Sequence, residues 1–459
     1  MICVIDNEIV IQDCEPDLLN KLERELTFAN PEYAKKERMG LWTGNTPKTL
    51  CLVWKRGNQI GIPFGMLQVI ADNRNRFSNI VNRVTAGRDW PPIEYESDIV
   101  LYDYQSKAVE AALGRRNGVI IAPCGSGKTQ MGLDIVSELG KRTLWLTHTT
   151  DLLTQSMERA KSVFGLPEEY YGTITAGKVR VGSCITFATV QTMAKMDLSI
   201  VKDAFDVVIV DEAHHCVGTP AKVQMFYKVV SALSARYKFG LTATPTRQDG
   251  LIGCMYALLG GEIYRVTPEQ VAQNLCPVEV RFKDTGYTPN YDVVLSSDGT
   301  LQYTSLVTDI VSDKARNKKI VEDVWATPGC SLILTDRVSH AQELYFALGE
   351  LAAVLVGKVS KKDRETALEA IRSGRKRYLV ATYAIAREGL DIPCLDNVFM
   401  TTPKKDQTSV VQAAGRVARK FEGKTIGIVH DYVDDFGMLR GWAKKRAGFY
   451  KKAGYSIAF

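Results

Sequence analysis

The sequence predicts an α/β protein in which two doubly wound parallel sheets follow each other along the chain. Short apolar runs alternate with helical patterns, as in sheets whose parallel strands are joined by helices. One apolar run ends in a glycine-rich loop and another in a pair of acidic residues, and ligands bind at such strand ends. At 459 residues the chain is too long for one core, and its length suggests roughly two to four domains.

Residues 1–95 are predicted to form a small α+β domain, because a Pro-Pro pair and the acidic residues after it are typical of a linker. Residues 40–88 carry seven basic side chains and one acidic side chain. Three aromatic residues lie among them, namely Trp42, Trp54 and Phe77. Positive charge attracts phosphates and aromatic faces stack on bases, so this segment is a candidate nucleic-acid-binding surface that includes Lys55 and Arg56. The alternative is a basic face that is merely solvated.

Residues 96–275 are predicted to form the first α/β domain. Its apolar runs should be strands of one parallel sheet, at residues 119–122, 143–147, 185–188, 207–210 and 239–242. The first run leads into Ala-Pro-Cys-Gly-Ser-Gly-Lys-Thr at residues 122–129, which then opens a helix. In such a loop the backbone around Gly125, Ser126 and Gly127 surrounds phosphates. Lys128 would meet the β and γ oxygens, and the Thr129 hydroxyl would bind magnesium.

An acidic pair, Asp211 and Glu212, follows the β-branched run of residues 207–210 and should emerge at the same edge of the sheet. Asp211 would complete the magnesium site, and Glu212 would orient and deprotonate an attacking water molecule. An ordinary glycine-containing turn is the alternative for the loop alone, and it leaves the acidic pair unexplained. The two motifs together predict a magnesium-dependent nucleoside triphosphatase.

Residues 276–435 are predicted to form the second α/β domain, with strands at residues 331–334, 378–381, 397–400 and 425–430. Between residues 286 and 300, turn-forming residues suggest an excursion such as a hairpin, of open function. Residues 436–459 form a basic, aromatic tail with six basic side chains and no acidic ones. We expect a basic helix whose Lys444 and Lys445 contact nucleic acid, or one whose apolar residues anchor it on the core.

Composition excludes several other classes of protein. No apolar run approaches the roughly 20 residues that span a bilayer, and the first residues lack a signal-like pattern, so we expect a cytoplasmic protein. Ten cysteines without a Cys-x-x-Cys pair indicate reduced thiols rather than a disulfide framework. The adjacent His-His-Cys at residues 214–216 cannot easily converge on one zinc ion.

From residue 101 to residue 432, the ordered motifs resemble those of the superfamily 2 helicases and translocases, ATP-driven nucleic-acid motors built from two RecA-like domains. The resemblance implies ATP as the nucleotide, with Gln105 reading adenine. It implies three residues that couple the ATP state to the bound strand, namely His214, Thr242 and Thr244. It also implies four residues that hold the nucleic-acid backbone, namely Thr149, Gln155, Thr189 and Gln191.

In the second domain the resemblance implies that Thr382 touches the nucleic acid. It implies nucleotide contacts from three further residues, namely Gly389, Asp391 and Gln412. Arg416 and Arg419 resemble arginine fingers, which would stabilise the charge that develops on the γ-phosphate. If both lie on one helix, three residues apart, they share a face and point toward the same phosphate.

A narrower resemblance, to phage recombination helicases of the UvsW type and their XPB-like relatives, involves four segments: residues 26–31, the Asp-Glu-Ala-His box, residues 240–245 and the His-Asp-Tyr of residues 430–432. It implies a monomeric DNA helicase or translocase that unwinds or branch-migrates forked and four-way DNA in recombination, repair or replication. A phage-encoded protein of this kind would act in the host cytoplasm. The alternatives are an ATP-dependent RNA helicase, the motor subunit of a restriction or repair nuclease, and a scaffold without ATPase activity.

Overall fold

The computed structural model of the protein describes residues 1–84, 90–123, 125–175, 178–216, 220–243, 251–296, 299–357, 359–387, 390 and 392–458, with the backbone alone at 220–224, 361 and 387. Contacts divide the chain into two compact units, Met1–Thr267 and Pro268–Phe459. The domain boundaries predicted at residues 95, 275 and 435 stay predictions. Within the described ranges, no helix has both the length and the apolar character needed to cross a membrane.

The N-terminal region combines short strands and helices, as the sequence predicts. Its strands are β1 (Ile2–Ile5), β2 (Ile9–Gln12), β3 (Thr27–Ala29), β4 (Thr49–Cys51), β5 (Trp54–Arg56), β6 (Gln59–Ile62) and β7 (Asn79–Asn82). Its helices are α1 (Pro16–Glu25), α2 (Pro31–Arg38) and α3 (Leu67–Asp72). Five strands form a sheet in the order β5-β6-β2-β1-β7, and β3 pairs with β4. Ile9 and Ile11, on one face of β2, pack with Leu18 and Leu22 of α1 in the core.

This N-terminal region packs directly on the first α/β domain, within the same unit. A Cβ atom at Gly65 would overlap the backbone at residues 256–260, so this close approach requires glycine. Asn117 Nδ2 donates a hydrogen bond to the Gly65 carbonyl at 3.2 Å. The fully buried Lys238 donates to the Asn7 carbonyl at 3.2 Å, and its Nζ lies 4.5 Å from the Phe64 ring centroid. The region is therefore joined to the domain by buried contacts.

The first α/β domain is built on an eight-stranded sheet. Its strands are β8 (Asn117–Ile121), β9 (Thr143–Thr147), β10 (Tyr171–Thr175), β11 (Lys178–Arg180), β12 (Ile185–Thr189), β13 (Val207–Val210), β14 (Tyr237–Thr242) and β15 (Glu262–Arg265). Its helices are α4 (Asp103–Leu113), α5 (Lys128–Leu139), α6 (Thr150–Phe164), α7 (Val190–Met193), α8 (Pro220–Ala232) and α9 (Ile252–Leu259). The order is β11-β10-β12-β9-β13-β14-β8-β15, with only β11 antiparallel among its described strands. The five predicted strands are adjacent in the centre of the sheet, and the outer strands β10, β11 and β15 were not predicted.

The second unit contains a seven-stranded sheet in the order β18-β19-β17-β20-β21-β16-β22, with parallel pairing throughout its described strands. Its strands are β16 (Val278–Asp284), β17 (Cys330–Thr335), β18 (Ala352–Leu355), β19 (Tyr378–Thr382), β20 (Leu395–Met400), β21 (Gly427–Val433) and β22 (Ser456–Ala458). Its helices are α10 (Pro268–Ala272), α11 (Tyr291–Val294), α12 (Tyr303–Ser312), α13 (Lys314–Ala326), α14 (Val338–Leu348), α15 (Lys361–Arg372), α16 (Tyr383–Arg387), α17 (Gln407–Ala414) and α18 (Gly437–Lys452). Two tandem parallel-sheet domains are thus confirmed.

The tail and the excursion differ in detail from the prediction. The tail forms the basic helix α18, but it also adds the edge strand β22, which pairs with β16. Arg446 anchors α18 through a buried ion pair with Asp431, whose nearest N–O distance is 2.6 Å. In its described part, the excursion contains the short helix α11 and one antiparallel bridge between Leu295 and Leu301, rather than an extended hairpin.

Candidate nucleotide and coupling site

Three neighbouring strands carry the predicted nucleotide motifs. In the first sheet β13, β14 and β8 lie side by side, and all three run in the same direction. The phosphate loop follows β8, the acidic pair follows β13, and Thr242 ends β14. Because the carboxyl ends of parallel strands meet at one edge, these motifs come together although they lie far apart in sequence.

The phosphate loop has the backbone that its glycines predict. Gly125 and Gly127 adopt φ angles of 81° and 78°, a left-handed region that favours glycine. Helix α5 starts at Lys128, so its free N–H groups and its dipole favour an anion at this end. The buried Ser126 Oγ has no hydrogen-bond partner among the described residues, as expected of a polar group placed to meet a ligand. Cys124 lies outside the described residues.

Gln105, predicted to read adenine, supports the phosphate loop in this structure. Its Nε2 donates to the Ser126 carbonyl at 2.8 Å, and its Oε1 accepts from the Tyr102 N–H at 2.9 Å. The Tyr104 hydroxyl also donates to the Ser126 carbonyl, at 3.2 Å. A Cβ atom at Gly127 would overlap the Gln105 amide, so a larger residue would displace Gln105 in addition to straining the backbone. Adenine recognition by Gln105 stays a prediction.

Lys128 and the acidic pair form the charged centre of the site. Lys128 Nζ lies 3.5 Å from Glu212 Oε1, and both side chains are largely buried. Burial acts to raise the pKa of Glu212, but Lys128 and then the hydrogen bond from His214 outweigh it, so the net pKa is lowered. Burial, followed by the charge of Glu212, raises the pKa of Asp211. Glu212 also has a left-handed φ of 48°, which is strained for a residue other than glycine.

The residues predicted to bind magnesium fit that ion chemically. Asp211 is 6% exposed and follows β13, while Thr129 is half-buried in the first turn of α5. Oxygen atoms from a carboxylate and a hydroxyl are ligands that Mg²⁺ prefers, usually together with water and substrate phosphates. A buried carboxylate with a raised pKa also gains stability when a cation neutralises it.

His214 connects the acidic pair to the next strand. Its Nδ1 lies 3.0 Å from Thr242 Oγ1 and 3.2 Å from Glu212 Oε2, and both His214 and Thr242 are buried. The structure thus brings together two of the three predicted coupling residues. The third, Thr244, lies outside the described residues.

Two histidines that sequence reasoning did not assign extend this contact. The His215 ring centroid lies 4.1 Å from that of His214 and 3.6 Å from that of His148. His148 follows β9, which is the neighbour of β13 in the sheet. The signal in the sequence was a histidine directly after β9 and a histidine pair shortly after β13, and strand order was needed to interpret it.

The predicted nucleic-acid residues of the first unit lie at two adjacent strand ends. Thr149 caps α6 by accepting from the Leu152 N–H at 3.3 Å, and Thr189 caps α7 by accepting from the Thr192 N–H at 3.4 Å. The exposed Gln191 donates from Nε2 to the His148 carbonyl at 2.8 Å. Gln155 lies half-buried on α6. Their contact with nucleic acid stays a prediction.

The arginine motif of the second unit corrects one expectation. Helix α17 ends at Ala414, Arg416 lies in a 3₁₀ turn, and Arg419 is extended, with a φ of −72° and a ψ of 134°. The two arginines therefore do not share one α-helix. After the 3₁₀ turn, the Ala418 carbonyl accepts a hydrogen bond from the distant Cys276 N–H at 2.8 Å, so this part of the backbone is held by a long-range contact.

Arg416 contacts a second predicted motif. Its guanidinium donates to the carbonyls of Leu390 and Ala386, each at 2.7 Å. Gln412 is half-buried on α17, and Thr382 is buried at the end of β19. Two predicted nucleotide contacts, Gly389 and Asp391, lie outside the described residues.

The basic surface residues have the exposure expected of contacts with a polyanion. Lys55 forms an ion pair with Glu23 at 2.8 Å, and Arg56 lies over the Trp54 ring. Lys444 and Lys445 are exposed on α18, whose opposite side packs on the core. The interpretation of the tail as anchored on the core is therefore confirmed, and contact of Lys444 and Lys445 with nucleic acid stays a prediction.

Comparison with known proteins identifies the family. Residues 98–247 match the family described as "Type III restriction enzyme, res subunit", and residues 316–421 match "Helicase conserved C-terminal domain". A putative ATP-dependent RNA helicase of Acanthamoeba polyphaga mimivirus is 28% identical over 470 residues, which covers 99% of this chain and 84% of the relative. The DNA 3'-5' translocase XPB2 of Sulfurisphaera tokodaii is 28% identical over 383 residues, which covers 74% of this chain and 84% of that one.

Among solved structures, a fragment of a restriction-enzyme subunit shares the fold. A putative HsdR subunit of a type I restriction enzyme from Vibrio vulnificus has a TM-score of 0.57 and 20% identity, covering 79% of this chain and 68% of that one. UvsW of bacteriophage T4 has a TM-score of 0.44 and 18% identity, covering 100% of this chain and 99% of that one. With both helicase families matched in order, the chain belongs to the superfamily 2 helicases, which are ATP-dependent motors with two tandem RecA-like domains.

Proposed function

We propose that the protein is an ATP- and magnesium-dependent DNA helicase or translocase that unwinds or branch-migrates forked and four-way DNA. The observation that carries the proposal is the continuous contact from Lys128 through Glu212 and His214 to Thr242. This set of contacts joins the ends of neighbouring strands. In the proposal, a change in the phosphates of the bound nucleotide is therefore transmitted to the segment after β14. A scaffold without ATPase activity would not need this arrangement.

The charged centre supports a defined division of roles in ATP hydrolysis. Lys128 neutralises the β and γ phosphates, and Glu212, with its lowered pKa, stays ionised and accepts a proton from the attacking water. Thr129 and Asp211 would hold Mg²⁺, which supplies charge neutralisation at the phosphates when it is bound. In this proposal Arg419 adds positive charge at the γ-phosphate. Arg416 positions the segment around residue 390 through its two carbonyl contacts.

DNA as the substrate is supported by the basic segment of residues 40–88 and by the relative named a DNA 3'-5' translocase. We place the protein in the cytoplasm, or the host cytoplasm if it is phage-encoded, acting as a monomer in recombination, repair or replication. A second candidate is an ATP-dependent RNA helicase, because the mimivirus relative that spans nearly the whole chain carries that name. A third is the motor subunit of a restriction or repair nuclease, favoured by the match to the res subunit family.

The proposal is tested by ATP-dependent strand separation on matched substrates. These are a mobile four-way DNA junction, a DNA fork, a tailed DNA duplex and a tailed RNA duplex, with Lys128→Ala as the inactive control. Preference for the junction and the fork supports branch remodelling. Unwinding of RNA alone contradicts it and supports the second candidate, and DNA-stimulated ATPase without strand separation indicates a translocase.

A further inference from the structure

The three aromatic residues of the basic N-terminal segment have different surroundings. Phe77 is buried in the core, at 5% exposure. Trp54 packs its ring against Gly61 and donates from Nε1 to Glu8 at 3.0 Å. Trp42 is 74% exposed, and its apolar neighbours Met39 and Leu41 are exposed as well. Because exposed apolar clusters usually mark binding surfaces, Trp42 is the aromatic residue of the three that is available to a ligand.

The segment that carries Trp42, residues 39–46, has a defined conformation, and we name it the Trp42 loop. It follows α2, and the Leu41 N–H donates to the Lys36 carbonyl at 2.9 Å. Lys36 Nζ donates to Thr46 Oγ1 at 2.7 Å, which ties the end of the loop to the helix. The Trp42 ring lies over Gly44, where a Cβ atom would overlap it. The indole therefore contacts the backbone of its own loop at Gly44 while most of its surface stays exposed.

The charge around the loop fits a polyanion. Residues 33–48 contain four basic side chains and one acidic side chain. Lys35, Arg38 and Lys48 are exposed, so positive charge flanks the indole on both sides in sequence. Amines and guanidinium groups bind phosphates, and an indole face stacks on any base. The face of a base inside a duplex is covered by its neighbours, so a stacking partner for Trp42 must be an unpaired or terminal base.

We propose that Trp42 stacks on an unpaired nucleobase where the strands of a branched substrate separate, while Lys35, Arg38 and Lys48 contact the adjacent phosphates. The proposal rests on the proposed function, because it requires a nucleic-acid substrate. It goes beyond that function by naming the residue and the chemical group that it binds. The loop belongs to the unit that holds Lys128 and Glu212, so a base held there is held by the body that binds ATP.

The test compares Trp42→Ala, Trp42→Phe and the control Trp325→Ala, an exposed tryptophan of α13 in the second unit. Affinity is measured by fluorescence anisotropy at one salt concentration, on a labelled DNA fork and a blunt duplex of equal length. Trp42→Ala should weaken fork binding by on the order of 5- to 100-fold and blunt-duplex binding by less. Trp42→Phe should lose less than Trp42→Ala, and Trp325→Ala should bind as the wild type does.

A second measurement separates this proposal from the proposed function. Basal ATPase activity without DNA should be equal in the wild type and in Trp42→Ala, whereas the DNA concentration needed for half-maximal stimulation should rise in the variant. Equal fork affinity of Trp42→Ala and the wild type overturns the stacking proposal and leaves the helicase function intact. If the wild type binds neither the DNA fork nor an RNA fork, the proposed function is wrong, and so is the stacking proposal that rests on it.

Discussion

The imidazole rings of His148 and His215 stack with their centroids 3.6 Å apart and their planes 27° from parallel. His215 also lies against His214, which contacts Glu212 and Thr242. On the other side, the His148 carbonyl accepts a hydrogen bond from Gln191. A continuous set of contacts therefore leads from the acidic pair to the strand ends that are predicted to hold nucleic acid.

This stack predicts that His215 positions the two strand ends relative to each other. His215→Ala should reduce the stimulation of ATP hydrolysis by nucleic acid by roughly 5-fold or more, with a smaller effect on the basal rate, because the central ring is lost. The Michaelis constant for ATP should change little, since the variant keeps the backbone hydrogen bond from the His215 N–H to the Glu212 carbonyl. Steady-state ATPase assays with and without single-stranded DNA measure both quantities.

The matched control is His215→Phe, which keeps an aromatic ring in the stack. It should restore most of the stimulation that His215→Ala loses. If nucleic acid stimulates His215→Phe as weakly as His215→Ala, stacking is not what couples the two strand ends. The same conclusion follows if the basal and stimulated rates of His215→Ala fall by the same factor.

Variants of Lys128 and Glu212 are expected to affect nucleotide binding and ATP turnover differently. Lys128→Ala should abolish ATP hydrolysis, because it removes the charge that meets the phosphates and lowers the pKa of Glu212. Glu212→Gln should bind ATP without turning it over, because an amide cannot accept the proton of water. Phosphate release and the binding of a fluorescent ATP analogue test both variants. Lys161→Ala, which removes a surface ion pair with Glu168, should behave as the wild type does, and hydrolysis by purified Lys128→Ala would refute the site assignment.

The buried Lys238 predicts a pH dependence of stability where the N-terminal region meets the first α/β domain. Burial lowers its pKa to about 7, only partly offset by Asp6 and Glu8. At a pH between about 7 and 10.5, the usual pKa of lysine, Lys238 keeps its proton in the unfolded chain and releases it in the folded chain. Raising the pH from 7 to about 9.5 should therefore stabilise the wild type relative to Lys238→Met, which lacks this proton. Melting temperatures across that pH range measure the difference.

Lys228→Met is the comparison for this effect. Lys228 is an exposed residue of α8, in the same unit as Lys238, and donates to the Ala194 carbonyl. The melting temperature of Lys228→Met should follow that of the wild type at every pH. A Lys238→Met curve that also runs parallel to the wild type would show that Lys238 keeps an ordinary pKa in the folded chain.

The sequence predicted the central strands and the nucleotide motifs because apolar runs and glycine patterns are local signals. The run of residues 207–210 is buried as β13, and Asp211 follows it as predicted. The contact between His148 and His215 was not predictable, since it depends on β9 and β13 being neighbours in the sheet. The prediction that Arg416 and Arg419 lie on one helix was wrong, because α17 ends at Ala414 and the backbone at Ala418 pairs with the distant Cys276, a long-range contact that local patterns do not show.

That correction predicts different roles for the two arginines. Arg416 donates to two backbone carbonyls, so Arg416→Ala leaves both without this charged donor and should lower the melting temperature of the second unit, at a cost of about 2 kcal/mol. Arg419→Ala should slow ATP hydrolysis by about 10³-fold or more with nucleotide affinity largely kept, as expected of an arginine finger. Arg416→Lys, which retains the charge but not the two-pronged geometry, should recover only part of the lost stability. If Arg416→Ala has the melting temperature of the wild type, the two carbonyl contacts of Arg416 do not stabilise the second unit. If Arg419→Ala hydrolyses ATP at the wild-type rate, Arg419 is not an arginine finger.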